Sequence, residues 1–273
     1  MDWFQALVLG AVQGLTEFLP VSSSGHLAIF QKIFGLYNNE QLSNLMLMLD
    51  TALHIGTLVA VLIVLWKDIV SILKKPFRPL TLYLIIATIP GFIATLLFGD
   101  FFDKVFAGQF IGYTGYCLLA TSAILFLTAN LREGKIDMER MGVLKPVVIG
   151  VMQAIAIFPG VSRSGSTIFG GLAVGVKREE TARFSFLLSI VAILGSAVLQ
   201  GKEILDKGLE QTIGAIGIMP LLLGMAMAAV TGVIALKFVI NIVKRGKLWM
   251  FGIYTASVGI LVLVDFYLTH IVF

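Results

Sequence analysis

The chain has 273 residues, 58% of them hydrophobic and 13% charged, with a mean hydropathy of +0.96. That is far too apolar for a soluble domain of this length, so the chain reads as an all-α integral membrane protein. The formal net charge of +4 does not point to nucleic acid, because the basic residues cluster in short loops between apolar runs, where a membrane accounts for them.

In chain order, Met1-Asp2-Trp3 lacks the basic region of a signal peptide, so the apolar N-terminus is expected to remain as structure. Residues 4–35 then form an apolar stretch, a Pro and Ser/Gly turn, and a second short apolar stretch. Each half is too short to cross roughly 30 Å of hydrocarbon, so the segment is expected to be a re-entrant hairpin of two broken helices. Runs long enough to span follow at about 45–66, 81–98 and 110–131. Residues 146–176 repeat the broken pattern, and further spans are expected at about 181–200, 213–240 and 248–271. Cys117 is the only cysteine, so it has no partner for an internal disulfide and is read as a buried bystander thiol.

Loop charges orient this series. Residues 67–80 carry Lys67, Lys74, Lys75 and Arg78 against Asp68, residues 132–145 carry four basic residues, and residues 243–247 carry Lys244, Arg245 and Lys247 without an acid. These loops belong on the cytoplasmic side, and 36–46, 99–109 and 201–212, which are not basic on balance, belong outside. Only one hairpin entering from each face keeps every loop on its proper side. The expected architecture is therefore six transmembrane helices plus two re-entrant hairpins in an inverted-topology repeat, with halves 1–140 and 141–273 and a site near the midplane.

The two hairpins are also copies in sequence. Gly10 to His26 lies over Gly150 to Ser166 at a constant offset of 140, with seven of 17 pairs identical. Fainter echoes, Thr51-Ala52 with Thr181-Ala182 and Ile89-Pro90 with Met219-Pro220, recur at an offset of 130. Where the hairpin copies differ, the first carries Glu17 and His26 and the second carries Arg163. An acid, an imidazole, a guanidinium and several hydroxyls together are chemistry for handling phosphate.

Gln13 and Glu17 are four apart and share a helix face; an ionisable Glu at this depth is a functional or paired residue. Ser22-Ser23-Ser24-Gly25 reads as the cap and first turn of a half-helix, and Ser162-Arg163-Ser164-Gly165 does the same from the opposite direction. Helix starts present free N–H groups and a positive dipole end, and a guanidinium matches phosphate oxygens bidentately. Ser22, Ser24, Gly25, Ser162, Ser164 and Thr167 are thus expected to bind a diphosphate, with capping or packing the plainer alternative for Thr167. Glu17, Ser23, His26 and Arg163 are the expected catalytic set. Ser23 attacking with His26 in assistance, and His26 attacking with the serines as phosphate ligands, both remain open. His54 lies among small residues within a span, with packing the favoured reading and lining of the cavity the alternative, and His270 is read as interfacial.

At these residues the chain closely resembles the undecaprenyl pyrophosphate phosphatase family, the bacitracin-resistance membrane phosphatases of bacteria. The likeness runs over essentially the whole length and is most specific in Gln13 to His26 and in Pro159-Gly-Val-Ser162-Arg163-Ser164-Gly-Ser-Thr167. Gln13 stands where that family often has Glu, which counts against a metal scheme needing two carboxylates there. The resemblance implies hydrolysis of undecaprenyl diphosphate to the monophosphate lipid that carries peptidoglycan and other wall precursors. It further implies a divalent cation, Mg or Ca, with Gln13 and Glu17 as its expected ligands. The location implied is the bacterial plasma (inner) membrane, with the site open to the outer face. The partners are then the polyprenyl diphosphate lipid and the bilayer, and a homodimer is left open. Because inverted repeats with broken helices also build transporters, carriage of a lipid phosphate or organic anion is the alternative reading.

Overall fold

A computed structural model describes residues 1–36, 40–106, 110–207 and 217–272. Helix α1 (Trp3–Phe18) starts at Asp2, whose carboxylate accepts from the Phe4 N–H while Gln5 accepts from the Asp2 N–H, and it ends ahead of Pro20. After a turn, α2 (Ser23–Ile33) follows. The first half continues with α3 (Glu40–Val64), a short α4 (Trp66–Lys74), α5 (Pro79–Phe106) and α6 (Phe110–Leu127). A loop with two 3-10 turns leads to α7 (Leu144–Ile155) and α8 (Arg163–Ala173), then α9 (Arg178–Lys207), α10 (Ile218–Lys244) and α11 (Trp249–Val264).

Among the described residues six helices are long and apolar enough to cross a membrane: Met46–Val64, Pro79–Gly99, Gly112–Asn130, Arg178–Lys202, Ile218–Lys244 and Trp249–Thr269. They fall where the apolar runs placed them. The predicted non-basic loops 36–46, 99–109 and 201–212, and the start of the span predicted from 213, lie wholly or partly outside the described residues. One loop is a helix instead: α4 occupies the basic segment after α3, with no buried residue and with Trp66 and Leu73 exposed. Its apolar residues recur on one face between lysines, the pattern of a helix lying in a membrane interface.

The two short pairs, α1 with α2 and α7 with α8, pack mainly into the opposite half of the chain. Helix α1 lies against α10, and α7 lies against α5. Sequence makes both approaches close. A Cβ at Gly10 would stand 2.3 Å from the Gly224 carbonyl oxygen, and one at Gly150 would stand 2.6 Å from the Ala87 carbonyl oxygen. Water cannot drive helices together inside a bilayer, so such backbone contact supplies the packing that holds them. Helices α3 and α9 pack against each other, as do α6 and α11. At one crossing the buried rings of Phe18 and Phe186 meet edge to face at 5.7 Å.

The basic loops assigned to one side converge at one end of the bundle. Arg78 pairs with Glu139, Arg183 with Asp68 at 2.6 Å, Arg178 with Glu133 at 3.1 Å and Lys244 with Glu179 at 2.8 Å. Both ends of the α7–α8 pair reach this same region, where Ile136 and Val176 form a parallel bridge. Because Gly10 has no room for a side chain, Gly10→Val is expected to lower stability by about 1–3 kcal/mol. Gly99→Ala, where a Cβ meets nothing within 4 Å, should stay within about 0.5 kcal/mol of the parent in detergent unfolding.

Candidate active site

Helix α1 stops at Phe18 because the chain must turn at Pro20, and α2 begins at Ser23 with Ser22 as its cap: the Ser22 hydroxyl accepts from the Gly25 N–H at 3.3 Å. The second copy repeats this, with Ser162 capping α8 and accepting from the Gly165 N–H at 3.1 Å. The two turns also brace each other through equivalent serines. Ser24 Oγ accepts from the Gly160 N–H at 3.3 Å, and Ser164 Oγ donates to the Leu19 carbonyl at 3.3 Å. Two helix starts therefore face one another across a small space.

Glu17 lies at the centre of that space and is 7% exposed. Arg163 Nη2 donates to its Oε1 at 2.5 Å, and Ser23 Oγ donates to its Oε2 at 2.6 Å. Gln13, one turn earlier on the same face, donates its amide N–H to Oε2 at 3.1 Å. Donors thus engage both oxygens of this carboxylate, and it polarises the Ser23 hydroxyl. The other terminal arginine nitrogen, Nη1, is buried without a hydrogen-bond partner. A buried N–H group on a cation is costly to leave unpaired, so this atom marks a place for an anion.

A polar cavity of about 200 Å³ opens beside these groups, lined by Glu17, Ser22, Ser23, Ser24, Ser162 and Arg163 together with Thr16, His54 and Ser196. An apolar groove of about 770 Å³ adjoins it, bounded by α5, α7 and α9, and the two share Ala156, Arg163, Ala192 and Ser196. The arginine thus stands at the junction between a polar chamber and an apolar channel.

Not every residue singled out in the sequence reaches the chamber. Thr167 bonds back to the Arg163 carbonyl at 2.8 Å and shares a 2.6 Å hydrogen bond with Ser185, so it packs α8 against α9. Gly25 lies against Thr114 and Ser22, and the Ser164 hydroxyl faces the opposite turn. His26 was expected to approach Ser23. Instead its Nδ1 meets the Ser22 carbonyl at 2.8 Å and its Nε2 meets the Tyr254 hydroxyl at 2.8 Å, so neither nitrogen is directed at Ser23.

The imidazole that does line the chamber is His54, whose Nε2 is 3.8 Å from Glu17 Oε2. Its Nδ1 donates to the Asp50 carbonyl at 2.7 Å, which leaves Nε2 facing the chamber. Asp50 in turn accepts from Gln31 of α2 at 2.9 Å, tying α3 to the helix that carries Ser23. The spacing of Asp50 and His54, one turn apart on one helix face, was the available signal.

Gln13 and Glu17 do not fit a resident divalent cation in this arrangement. Both Glu17 oxygens are taken by donors, and Gln13 presents its N–H rather than its carbonyl to Glu17. The buried Gln13 carbonyl oxygen has no partner, but it is one ligand where Mg or Ca needs about six or more. Among the described residues no group of three His, Cys, Asp or Glu is placed to hold an ion.

The family described as Bacitracin resistance protein BacA matches residues 6–261. The chain belongs to that family. It is 43% identical to the undecaprenyl-diphosphatase of Carboxydothermus hydrogenoformans, covering 97% of each chain. It is 39% identical to the one from Halothermothrix orenii, over 97% of this chain and 98% of that one, and 40% identical to one from Bacteroides fragilis over the same shares.

Because Glu17 and Arg163 compensate each other away from bulk water, Glu17→Gln should destabilise the protein by about 3–5 kcal/mol. Adding Arg163→Gln should restore part of that loss, read as a non-additive pair in detergent unfolding.

Proposed function

We propose that this chain hydrolyses undecaprenyl diphosphate to undecaprenyl phosphate and inorganic phosphate, renewing the lipid carrier on which peptidoglycan precursors are built. One observation carries the reading. Arg163, with an unpartnered buried nitrogen, stands where a polar chamber bearing a Ser23–Glu17 hydrogen bond meets an apolar groove. An amphiphile with a charged head and a long hydrocarbon tail fits that junction, and relatives of about 40% identity bear the name undecaprenyl-diphosphatase.

In this reading the starts of α2 and α8 and the Arg163 guanidinium hold the diphosphate oxygens. Ser23 Oγ attacks the terminal phosphorus and gives its proton to Glu17, 2.6 Å away. The bridging P–O bond breaks, and its electron pair leaves on the lipid monophosphate. Water then attacks the phosphoserine phosphorus, the bond from phosphorus to Ser23 Oγ breaks as that oxygen takes back the proton held by Glu17, and the proton that water loses stays on the released phosphate. Arg163 acts on the charge that builds on the phosphoryl oxygens in both displacements. Gln13 and Glu17 offer no cage for a divalent ion, so a cation serving this reaction would have to arrive with the diphosphate, and it would supply neutralisation of the substrate's charge.

The setting proposed is the bacterial plasma membrane, with α1 and α2 re-entrant from the outer face and α7 and α8 from the cytoplasmic face as inverted repeats. The gathering of basic loops at one end and the exchange of short helix pairs between halves support this. The chamber then opens outward.

Phosphate release from a polyprenyl diphosphate by the purified full-length protein tests the proposal. Arg163→Ala and Glu17→Ala should each lower kcat by about 100-fold or more, the cost of removing a preorganised charge partner from a transition state. Near-normal rates in both would overturn it.

A further inference from the structure

The two serine turns are equivalent in sequence and differ in backbone. Ser162 enters α8 at φ −72° and ψ 114°, an extended conformation open to any residue. Ser22 enters α2 at φ 72° and ψ 99°. Among the described residues only Ser22 and His270 are non-glycine residues with positive φ. A side chain strains the backbone there, and such a conformation lasts only where its surroundings over-determine it.

The copies also differ four residues further on, where the first has His26 and the second Ser166. In the second copy the Ser162 carbonyl receives the Ser166 backbone N–H at 3.0 Å, and the buried Ser166 hydroxyl has no partner. In the first, the Ser22 carbonyl receives the His26 backbone N–H at 3.2 Å and the ring as well, at 2.8 Å. A carbonyl only accepts, so Nδ1 carries a proton, and in the neutral ring Nε2 accepts from the Tyr254 hydroxyl at 2.8 Å. The two rings lie nearly parallel, 12° apart with centroids at 5.6 Å. The Ser22 carbonyl thus sets the tautomer, and Tyr254, on α11, holds the plane of the ring that grips the peptide joining Ser22 to Ser23.

We infer that His26 and Tyr254 are positioning residues that hold the strained Ser22 peptide and so aim the Ser23 hydroxyl at Glu17. This rests on the assignment of Ser23 as the attacking group. His26 then holds its proton throughout and forms no bond to phosphorus.

The test is a cycle in the purified full-length protein, with phosphate release from a polyprenyl diphosphate as readout. Tyr254→Phe should lower kcat about tenfold, the worth of one well-placed hydrogen bond, with KM within about twofold because Tyr254 lines neither the chamber nor the groove. Glycine adopts positive φ without strain. In a Ser22→Gly background, whatever its own rate, Tyr254→Phe should therefore cost less than about twofold, a loss of coupling that general damage would not produce. His26→Gln, which keeps an N–H for the Ser22 carbonyl, should outperform His26→Ala. Equal losses from Tyr254→Phe in both backgrounds, no loss in either, equal inactivity of the two His26 variants, or acid-labile phosphate on His26 would overturn the positioning role. Full turnover by Ser23→Ala would overturn the assignment beneath it and the positioning role with it, whereas additive losses with Ser23→Ala inactive would overturn the positioning role alone.

Discussion

A carboxylate from one broken helix pair and a guanidinium from the other meet at 2.5 Å in the interior of an apolar bundle, and the rest of the structure depends on that contact. Neither charge is tolerable alone among hydrocarbon, so Glu17 and Arg163 have to be brought together from segments far apart in the chain. Two broken helix pairs accomplish this. Each ends a short helix inside the bundle, turns on proline or glycine and serine, and starts a second helix beside the same space. The site therefore has an arginine and two helix starts on hand for an anion, with a carboxylate-bound alcohol beside them.

The surrounding helices keep these two turns in register. Because α1 packs on α10 and α7 packs on α5, neither half can shift without carrying part of the other. The backbone contacts at Gly10 and Gly150 leave little play, and the crossed Ser24–Gly160 and Ser164–Leu19 hydrogen bonds tie the turns directly. Such rigidity suits a group-transfer site, where small misplacements of attacking and charge-stabilising groups cost large factors in rate. Transport would call for the opposite, a bundle able to rock, and has no use for a serine hydroxyl bonded to a carboxylate.

Much of this was legible in the chain itself. Hydropathy marks all six spans, and the 140-residue offset exposes the paired turns. The four-residue spacing of Gln13 and Glu17 put both on one helix face, where they bond at 3.1 Å. What escaped depends on contacts between distant segments. His26 is three residues from Ser23, yet its ring direction is decided by Tyr254 on α11, 228 positions away. For His54, among small neighbours, the sequence favoured packing over cavity lining, and the crossing of α1 and α3 decides for the cavity by placing it near Glu17. Thr167 resembled a phosphate ligand by its place one turn past Arg163, but Ser185 claims its hydroxyl. Helix α4 was hidden because its lysines read as loop charge, whereas its apolar residues form one exposed face.

The most direct test is an experimental structure of the protein with a non-hydrolysable polyprenyl diphosphate, its bridging oxygen replaced by carbon. The terminal phosphorus should lie opposite Ser23 Oγ, with Arg163 hydrogen-bonded to the phosphoryl oxygens and the prenyl chain in the groove bounded by α5, α7 and α9. A diphosphate bound elsewhere, with Arg163 still directed only at Glu17, would contradict the account.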